Sequence, residues 1–325
     1  MKQVNCDLCG SSQAGLLVSQ GDIVHRRAPP DQKFCLCKCD RCGLIYQNPR
    51  LEPQEISVYY PEDYEFYSDK SPVICKAKSL IRNLLSSPHL NRLLALPFYL
   101  PRMRNVFINL LQRPKKDFVR LMRPCRFLDI GCGSGLSAHI WGYGSSLHSL
   151  KRSGFDAVGI EPSSRARNIA KNYGLEVFSS VDELKGEKFD CVRMNWSLEH
   201  VDSPSMYFSA CDSLLKPGGK LVIGVPNYSG IIYKMFPHCV EIPVHNYYFT
   251  PETLEAYFSR FNFKVLDKYT FSYPAMFVFA QKCLDPKAGF SLSPWQAIYF
   301  QSVLNKFDSR MLGNDMMYLC EKNRN

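Results

Sequence analysis

Two copies of Cys-x-x-Cys-Gly, Cys6–Gly10 and Cys39–Gly43, stand with twenty-nine residues between Cys9 and Cys39. Thiolates from Cys6, Cys9, Cys39 and Cys42 can close a tetrahedral site, the glycine after each pair lets the backbone wrap the ion, and an all-sulfur set without an open position points to structural zinc. Cys35 and Cys37 alternate with Phe34 and Leu36 on an expected strand and read as packing residues, with Cys37 a rival ligand. A second concentration of chemistry runs Asp129-Ile130-Gly131-Cys132-Gly133-Ser134-Gly135. Glycines at alternate positions let a chain turn sharply out of a strand and come close to a ligand at a helix amino terminus. Glu161 ends the next apolar run, Ala157–Ile160, where a carboxylate can accept the two hydrogen bonds of a ribose diol. His200, in Leu198-Glu199-His200-Val201, and His245, in Pro243-Val244-His245-Asn246-Tyr247-Tyr248-Phe249, are candidates for moving a proton. The alternative for each histidine is a satisfied group in a turn.

These residues need elements to hold them. From Arg126 onward, apolar strands alternate with helical stretches, the mark of a doubly wound parallel sheet. Strands are expected at Phe127–Ile130, Ala157–Ile160, Glu176–Phe178, Phe189–Met194 and Lys220–Pro226, the last after the turn Lys216-Pro217-Gly218-Gly219. The eighteen residues between Gly135 and Gly154 are long for one helix, and Gly142 and Gly144 suggest a loop inside it.

The chain has 325 residues, 46% hydrophobic and 22% charged, enough for about two structural units and far from disordered or fibrous compositions. The start of the chain shows no charged segment followed by an apolar one, so the fourteen cysteines are expected to be reduced thiols or metal ligands. The stretch Leu93–Leu111 is interrupted by arginines and prolines and does not read as a membrane span. The net charge of +10 is concentrated: Pro72–Pro124 holds eleven basic residues against one acid. Apolar residues at helical spacing, cut by Pro88, Pro97, Pro101 and Pro114, make this segment a set of short basic amphipathic helices. Such helices can lie on anionic lipid, hold a polyanionic substrate, or simply cap a neighbouring domain.

The order of the blocks, D-x-G-x-G-x-G, an acid closing strand two, Phe-Asp before strand four and Leu-Leu-Lys-Pro-Gly-Gly before strand five, resembles the class I S-adenosylmethionine-dependent methyltransferases over Arg126–Lys322. The resemblance implies an α/β fold with a Rossmann-like seven-stranded sheet, strand six at Phe263–Tyr269, an antiparallel strand seven at Asp315–Lys322, and a helical insertion between them. It implies that Asp129, Gly131, Gly133 and Gly135 cradle the methionine end of the cofactor, that Glu161 binds its ribose, that Ser180, Val181 and Asp182 flank adenine, and that Asn195 and Trp196 line the boundary with the acceptor. The chain then divides into a zinc ribbon at 1–50, an aromatic linker and basic helical segment at 51–124, and a methyltransferase domain at 125–325 with its insertion near 284–312.

The ribbon ending in Cys42-Gly43-Leu44-Ile45-Tyr46-Gln47-Asn48-Pro49-Arg50, followed by Tyr59-Tyr60-Pro61-Glu62-Asp63-Tyr64, is similar to bacterial surface-polysaccharide and nucleotide-sugar methyltransferases. That likeness implies a cytoplasmic enzyme with a sugar or glycan acceptor, nucleotide- or lipid-linked, and suits peripheral contact of 72–124 with the anionic inner face of a membrane. It also implies that a histidine in each of the two segments lies near the acceptor, although Val244 stands where an acid often precedes the second one. A different resemblance, to the Glu-x-x-Glu-His metal site of some small-RNA and ubiquinone-pathway O-methyltransferases, is met by Glu199, His200 and His245 but has Trp196 in place of the first glutamate. Tyr247 and Tyr248 read as pocket walls. The absence of Asn-Pro-Pro-aromatic after strand four argues against methylation of a base or glutamine nitrogen. Rival readings are an RNA or small-molecule O-methyltransferase and a non-catalytic cofactor-binding module.

Overall fold

A computed structural model describes residues 1–24, 27–29, 31–59, 117–119, 121–136, 145–272, 275–285 and 294–324. Most of the basic segment 72–124, with its expected helices, and Gly142 and Gly144 lie outside the described residues.

Seven strands form the main sheet: β4 (Arg126–Ile130), β5 (Asp156–Ile160), β6 (Val177–Phe178), β7 (Phe189–Asn195), β8 (Leu215–Pro226), β10 (Phe263–Phe271) and β11 (Asp315–Lys322). Their order across the sheet is β10-β11-β8-β7-β4-β5-β6, parallel throughout except that β11 runs antiparallel to both β8 and β10. This is the Rossmann-like class I methyltransferase sheet, with the last strand slotted in reverse between the fifth and sixth. The chain leaves β4 toward β5 and later returns on its other side as β7, so the crevice above β4 and β7 is the switch point where such sheets take ligands.

Alternation along the strands builds two cores. Leu128, Ile130, Val158, Ile160, Val192 and Met194 face one way, under α4 (Pro204–Leu214) and α6 (Pro251–Arg260). Phe127, Ala157, Cys191 and Val222 face the other, toward Leu147 and Leu150 of α2 (Leu147–Arg152) and Ala170 of α3 (Ser164–Asn172). Ser146, Ser163, Ser203 and Thr250 cap these four helices with side-chain oxygens, each accepting a backbone N–H of the first turn. The fifth strand of the sheet begins at Leu215, earlier than the sequence suggests. The Lys216-Pro217-Gly218-Gly219 segment is absorbed as an irregularity in its pairing with β7. The insertion is likewise wider, with α7 (Ala275–Leu284) preceding α8 (Pro294–Asp308). Among the described residues, no helix is long and apolar enough to cross a membrane.

The amino-terminal part makes a second sheet of β1 (Ala14–Gln20), β2 (Phe34–Cys39) and β3 (Ile45–Gln47), followed by the short α1 (Pro53–Ile56). Its fourth strand is β9 (Tyr247–Tyr248), contributed from two hundred residues downstream, with Ile45 opposite Tyr248 and Tyr46 opposite Tyr247. Cys6, Leu8, Cys39, Leu44 and Tyr46 are buried in the same core as Leu128, Phe208 and Tyr257. The ribbon is thus packed into the main sheet's flank, not tethered beside it.

Candidate active site

The cofactor side is organised by the glycine turn after β4. Gly131, Gly133 and Gly135 all take positive φ, at 79°, 57° and 68°, which glycine adopts without strain. A Cβ on Gly131 would lie 2.5 Å from Cβ of Ser197, so the end of β7 sits directly against the turn. Ser197 Oγ fixes that contact by donating to the Ile130 carbonyl at 3.0 Å. Glu161, only 7% exposed, follows β5 directly and accepts from Gly133 N at 3.0 Å and Ser163 N at 2.9 Å, one bond per oxygen. A carboxylate has about four acceptor positions, so two remain for a ribose diol. Burial pushes the Glu161 carboxyl above its ordinary range, against the opposing pull of the two N–H donors and Arg167.

Beneath the turn, Asp129 is engaged in a bidentate pair that the sequence did not announce. Arg193, directly opposite on β7, donates Nε to Oδ1 at 2.9 Å and Nη2 to Oδ2 at 2.6 Å, with both side chains buried. The same Nη2 reaches the Ser145 carbonyl at 2.9 Å, and the guanidinium lies over Phe127. Asp129 therefore braces the turn from below through Arg193. Ser180 stands extended before a 3₁₀ turn over Val181–Leu184, and Asp182 lies at the surface paired to Lys185. Asn195 ends β7, and Trp196 follows with φ 48°, its Nε1 donating to Asp315 on β11 at 3.1 Å. These elements frame a crevice at the carboxyl ends of β4, β5 and β7.

One turn beyond Ser197, the two histidines meet. His200 N donates to the Ser197 carbonyl, and the rings of His200 and His245 stand 4.6 Å apart at 81°. Glu199, His200 and His245 have ligand-type atoms all within 4.8 Å of one another. His200 Nε2 is 3.9 Å from Glu199 Oε1. His245 Nε2 is 3.7 Å from Glu241 Oε2, an acid four residues upstream that sequence reading missed because Val244 holds the place where one was sought. Glu199 is 1% exposed, and neither of its oxygens has a hydrogen-bond partner in another residue. Burial therefore drives its carboxyl far above the usual range, with Glu241 and Asp315 adding to the rise. Tyr248 stands beside the cluster, its ring 5.9 Å from that of His245, and Tyr228 packs against Tyr248 with ring centroids 5.6 Å apart. Burial also raises the Tyr248 phenol well above its ordinary range, which removes it as a base at neutral pH. Tyr247, read as a second wall, instead points its hydroxyl between Arg50 and the Asp202 carbonyl.

At the ribbon, the sulfurs of Cys6 and Cys42 lie 3.4 Å apart, those of Cys9 and Cys39 3.5 Å apart, and all four fall within 4.8 Å of one another. The knuckles match: Gly10 and Gly43 both take positive φ and donate their N–H to Cys6 and Cys39 respectively. Cys37 lies outside this cluster, its thiol directed to the Asn48 carbonyl, so the rival ligand is a packing residue. Cys35 is likewise outside it, beside Ser19.

The model of the methyltransferase-domain family matches residues 99–268, more than half of the chain, and the protein belongs to that family. The chain spans two thirds or less of the length of the curated relatives it matches. A ubiquinone biosynthesis O-methyltransferase from Brucella ovis is 28% identical over 172 residues, which cover 47% of this chain and 66% of that protein. One of the same name from Xanthomonas oryzae is 35% identical over 112 residues, 31% of this chain and 43% of that protein. A methyltransferase structure from Archaeoglobus fulgidus has 20% identity and a TM-score of 0.44, covering 67% of this chain and 94% of the other. One from Methanosarcina mazei has 15% identity and a TM-score of 0.43, covering 66% of this chain and all of the other.

Two predictions follow from the cofactor side. Below its raised pKa the Glu161 acid is neutral and must lose a proton to accept from a diol, so cofactor affinity falls as pH drops through that value and levels off above it. Glu161→Gln flattens this profile and weakens binding about 10- to 100-fold at neutral pH, the worth of a charge-assisted hydrogen bond. Calorimetric titration across mildly acidic to neutral pH checks both, and a variant that binds like the parent would place the ribose elsewhere. Second, Arg193→Met leaves a buried, unpaired Asp129 and costs about 3–5 kcal/mol in urea denaturation, whereas adding Asp129→Asn restores most of it. Equal losses in the single and double variants would show that the pair is not coupled.

Proposed function

We propose that the enzyme methylates a hydroxyl oxygen of a small acceptor seated between Tyr228, Tyr248 and the facing pair His200 and His245. The observation that carries this reading is Glu199, a buried carboxyl group with no hydrogen-bond partner in another residue, beside two histidines and one turn from Ser197, which touches the glycine turn. An unpaired buried acceptor is costly, about 1–3 kcal/mol or more when charged, so its retention marks a place where a ligand completes the bonding. The relatives named above are called O-methyltransferases of ubiquinone biosynthesis, which supports a small-molecule hydroxyl acceptor. The glycan acceptor is supported by the resemblance of the ribbon motif alone, and a membrane-borne acceptor would suit the charge of residues 72–124.

S-adenosylmethionine, when bound, would supply a methyl group to the acceptor oxygen with S-adenosylhomocysteine as the leaving group, and a histidine would take the hydroxyl proton. Much of the rate comes from holding oxygen and methyl in contact. His245 is the better-supported base, since Glu241 can orient its ring and stabilise the imidazolium formed. Gly131, Gly133, Gly135, Glu161, Ser180, Val181, Asp182, Asn195 and Trp196 frame the cofactor in this reading. The donor set of Glu199, His200 and His245 also fits a divalent cation, which when bound would lower the pKa of the acceptor hydroxyl. The four thiolates fit structural zinc.

The assay supplies methyl-labelled S-adenosylmethionine with three acceptor pools: ortho-dihydroxybenzoates, nucleotide- and lipid-linked sugars, and RNA. Label in the first pool is the expected outcome, and label confined to sugar or RNA overturns the small-molecule reading. His245→Ala is expected to lower turnover about 100- to 10,000-fold, the usual range for removing a general base, with cofactor affinity unchanged. Glu241→Gln should give a smaller loss, and undiminished turnover in His245→Ala would remove the proposed base.

A further inference from the structure

Each cysteine knuckle grips one of the two loops that bring the histidines together. Asp7 lies inside the first knuckle, between Cys6 and Cys9. Its Oδ1 accepts from Ser203 Oγ at 2.6 Å, and its Oδ2 accepts from Ser205 N and Tyr257 Oη, both at 2.8 Å. Its carbonyl accepts from Ser205 Oγ at 3.0 Å, and Arg260 donates to the carbonyls of Asp7 and Leu8. Ser203 and Ser205 begin α4, immediately after Glu199-His200-Val201-Asp202, so the first knuckle sets where the His200 loop ends. The second knuckle runs directly into β3, whose Tyr46 and Ile45 pair with Tyr247 and Tyr248. Gln47 N donates to the Asn246 carbonyl at 2.9 Å, one residue after His245. Arg50 then donates to Tyr247 Oη at 3.0 Å, and that hydroxyl donates on to the Asp202 carbonyl at 2.9 Å.

Between the loops, Asn246 and Tyr247 donate their N–H groups to the Glu199 carbonyl, and Asn246 Nδ2 donates to the carbonyls of His200 and Val201. His200 Nδ1 stands 3.2 Å from the Val244 carbonyl. The histidine pair is therefore assembled on a frame whose two outer ends are the two halves of the thiolate cluster. The glycine turn and Glu161 share none of these bonds.

We propose that the ribbon is a positioning element of the acceptor site: an ion held by Cys6, Cys9, Cys39 and Cys42 fixes the spacing of the two knuckles and, through Asp7 and the Gln47–Asn246 junction, the facing of His200 and His245. Cofactor binding stands apart from it. Asp7, Arg50 and Tyr247 are positioning residues in this scheme. The inference rests on reading the histidine pair as the acceptor site, and its test reads ring geometry, so the two can fail separately: loss of the acceptor reading shows in the His245→Ala transfer assay and leaves the ring geometry untouched.

The test compares zinc-loaded full-length protein, the same protein stripped with a chelator, and zinc-loaded Tyr247→Phe, which removes one hydroxyl and keeps the ring. Histidine ring signals are recorded by NMR and assigned by their loss in His200→Gln and His245→Gln. Stripping is expected to shift both signals while leaving that of His148, in α2 on the other core, in place, with cofactor affinity by calorimetry within about twofold because the coupling is confined to the acceptor side. Tyr247→Phe is expected to shift the same two signals with zinc content unchanged. Unmoved His200 and His245 signals in both samples overturn the proposal. So does a stripped protein in which His148 and cofactor affinity change along with them, since that is general unfolding and not positioning.

Discussion

Asn246 is the junction on which the meeting of the His200 and His245 loops depends. Its amide nitrogen bonds the carbonyls of two successive residues in the loop after β7, its backbone N–H bonds a third, and its own carbonyl takes the N–H of Gln47 from the ribbon. Three segments far apart in sequence are thereby held at one buried residue. A buried amide satisfied on both sides favours a single arrangement, because any shift of one loop leaves polar groups unpaired in a medium where that is expensive. The facing of the two histidine rings is a consequence of that arrangement, as is the closeness of Tyr248.

The cofactor side solves a different problem. A parallel sheet brings the carboxyl ends of its central strands together, and the glycine turn must bend away from β4 with Ser197 almost in contact. Asp129 and Arg193 face each other just below, a charged pair taken out of water whose mutual attraction and hydrogen bonds offset the desolvation of each. Placing the pair there ties the turn's footing to β7 through bonds that involve no ribbon residue. The molecule thus has two halves of one crevice held by unrelated means, hydrophobic strands and glycine geometry on one side, a polar network on the other.

What could be read in advance follows this division. The glycine turn, Glu161, the strand blocks and the cysteine knuckles are local patterns, and each appears in the sequence within a dozen residues. Five parallel strands were legible because apolar runs and turn residues alternate along the chain, whereas the sixth and the reversed seventh followed from the resemblance of the ordered blocks to class I methyltransferases. Glu241 was not, since a loop of irregular shape rather than a helix brings it to His245. Asp7, Arg50 and Asn246 were invisible for a further reason: their partners lie forty to two hundred and fifty residues away, and no local spacing encodes a hydrogen bond of that reach. Arg193 looked like an ordinary strand residue until Asp129 was found opposite it. Tyr247 was legible as an aromatic position, but which way its hydroxyl turned was decided by Arg50.

The completion of the ribbon sheet by Tyr247–Tyr248 bears on how the chain is made. Its first fifty residues leave the ribosome early, with their cysteines in place, yet the fourth strand and the groups that hold Asp7 are not synthesised until residues 203–260 have followed. At roughly 5–20 residues per second that interval is about 10–40 seconds. Throughout it β3 lacks its outer strand partner, and Leu44 and Tyr46 lack the core that buries them. An ion captured early by the four sulfurs would protect them from oxidation and mispairing over that interval.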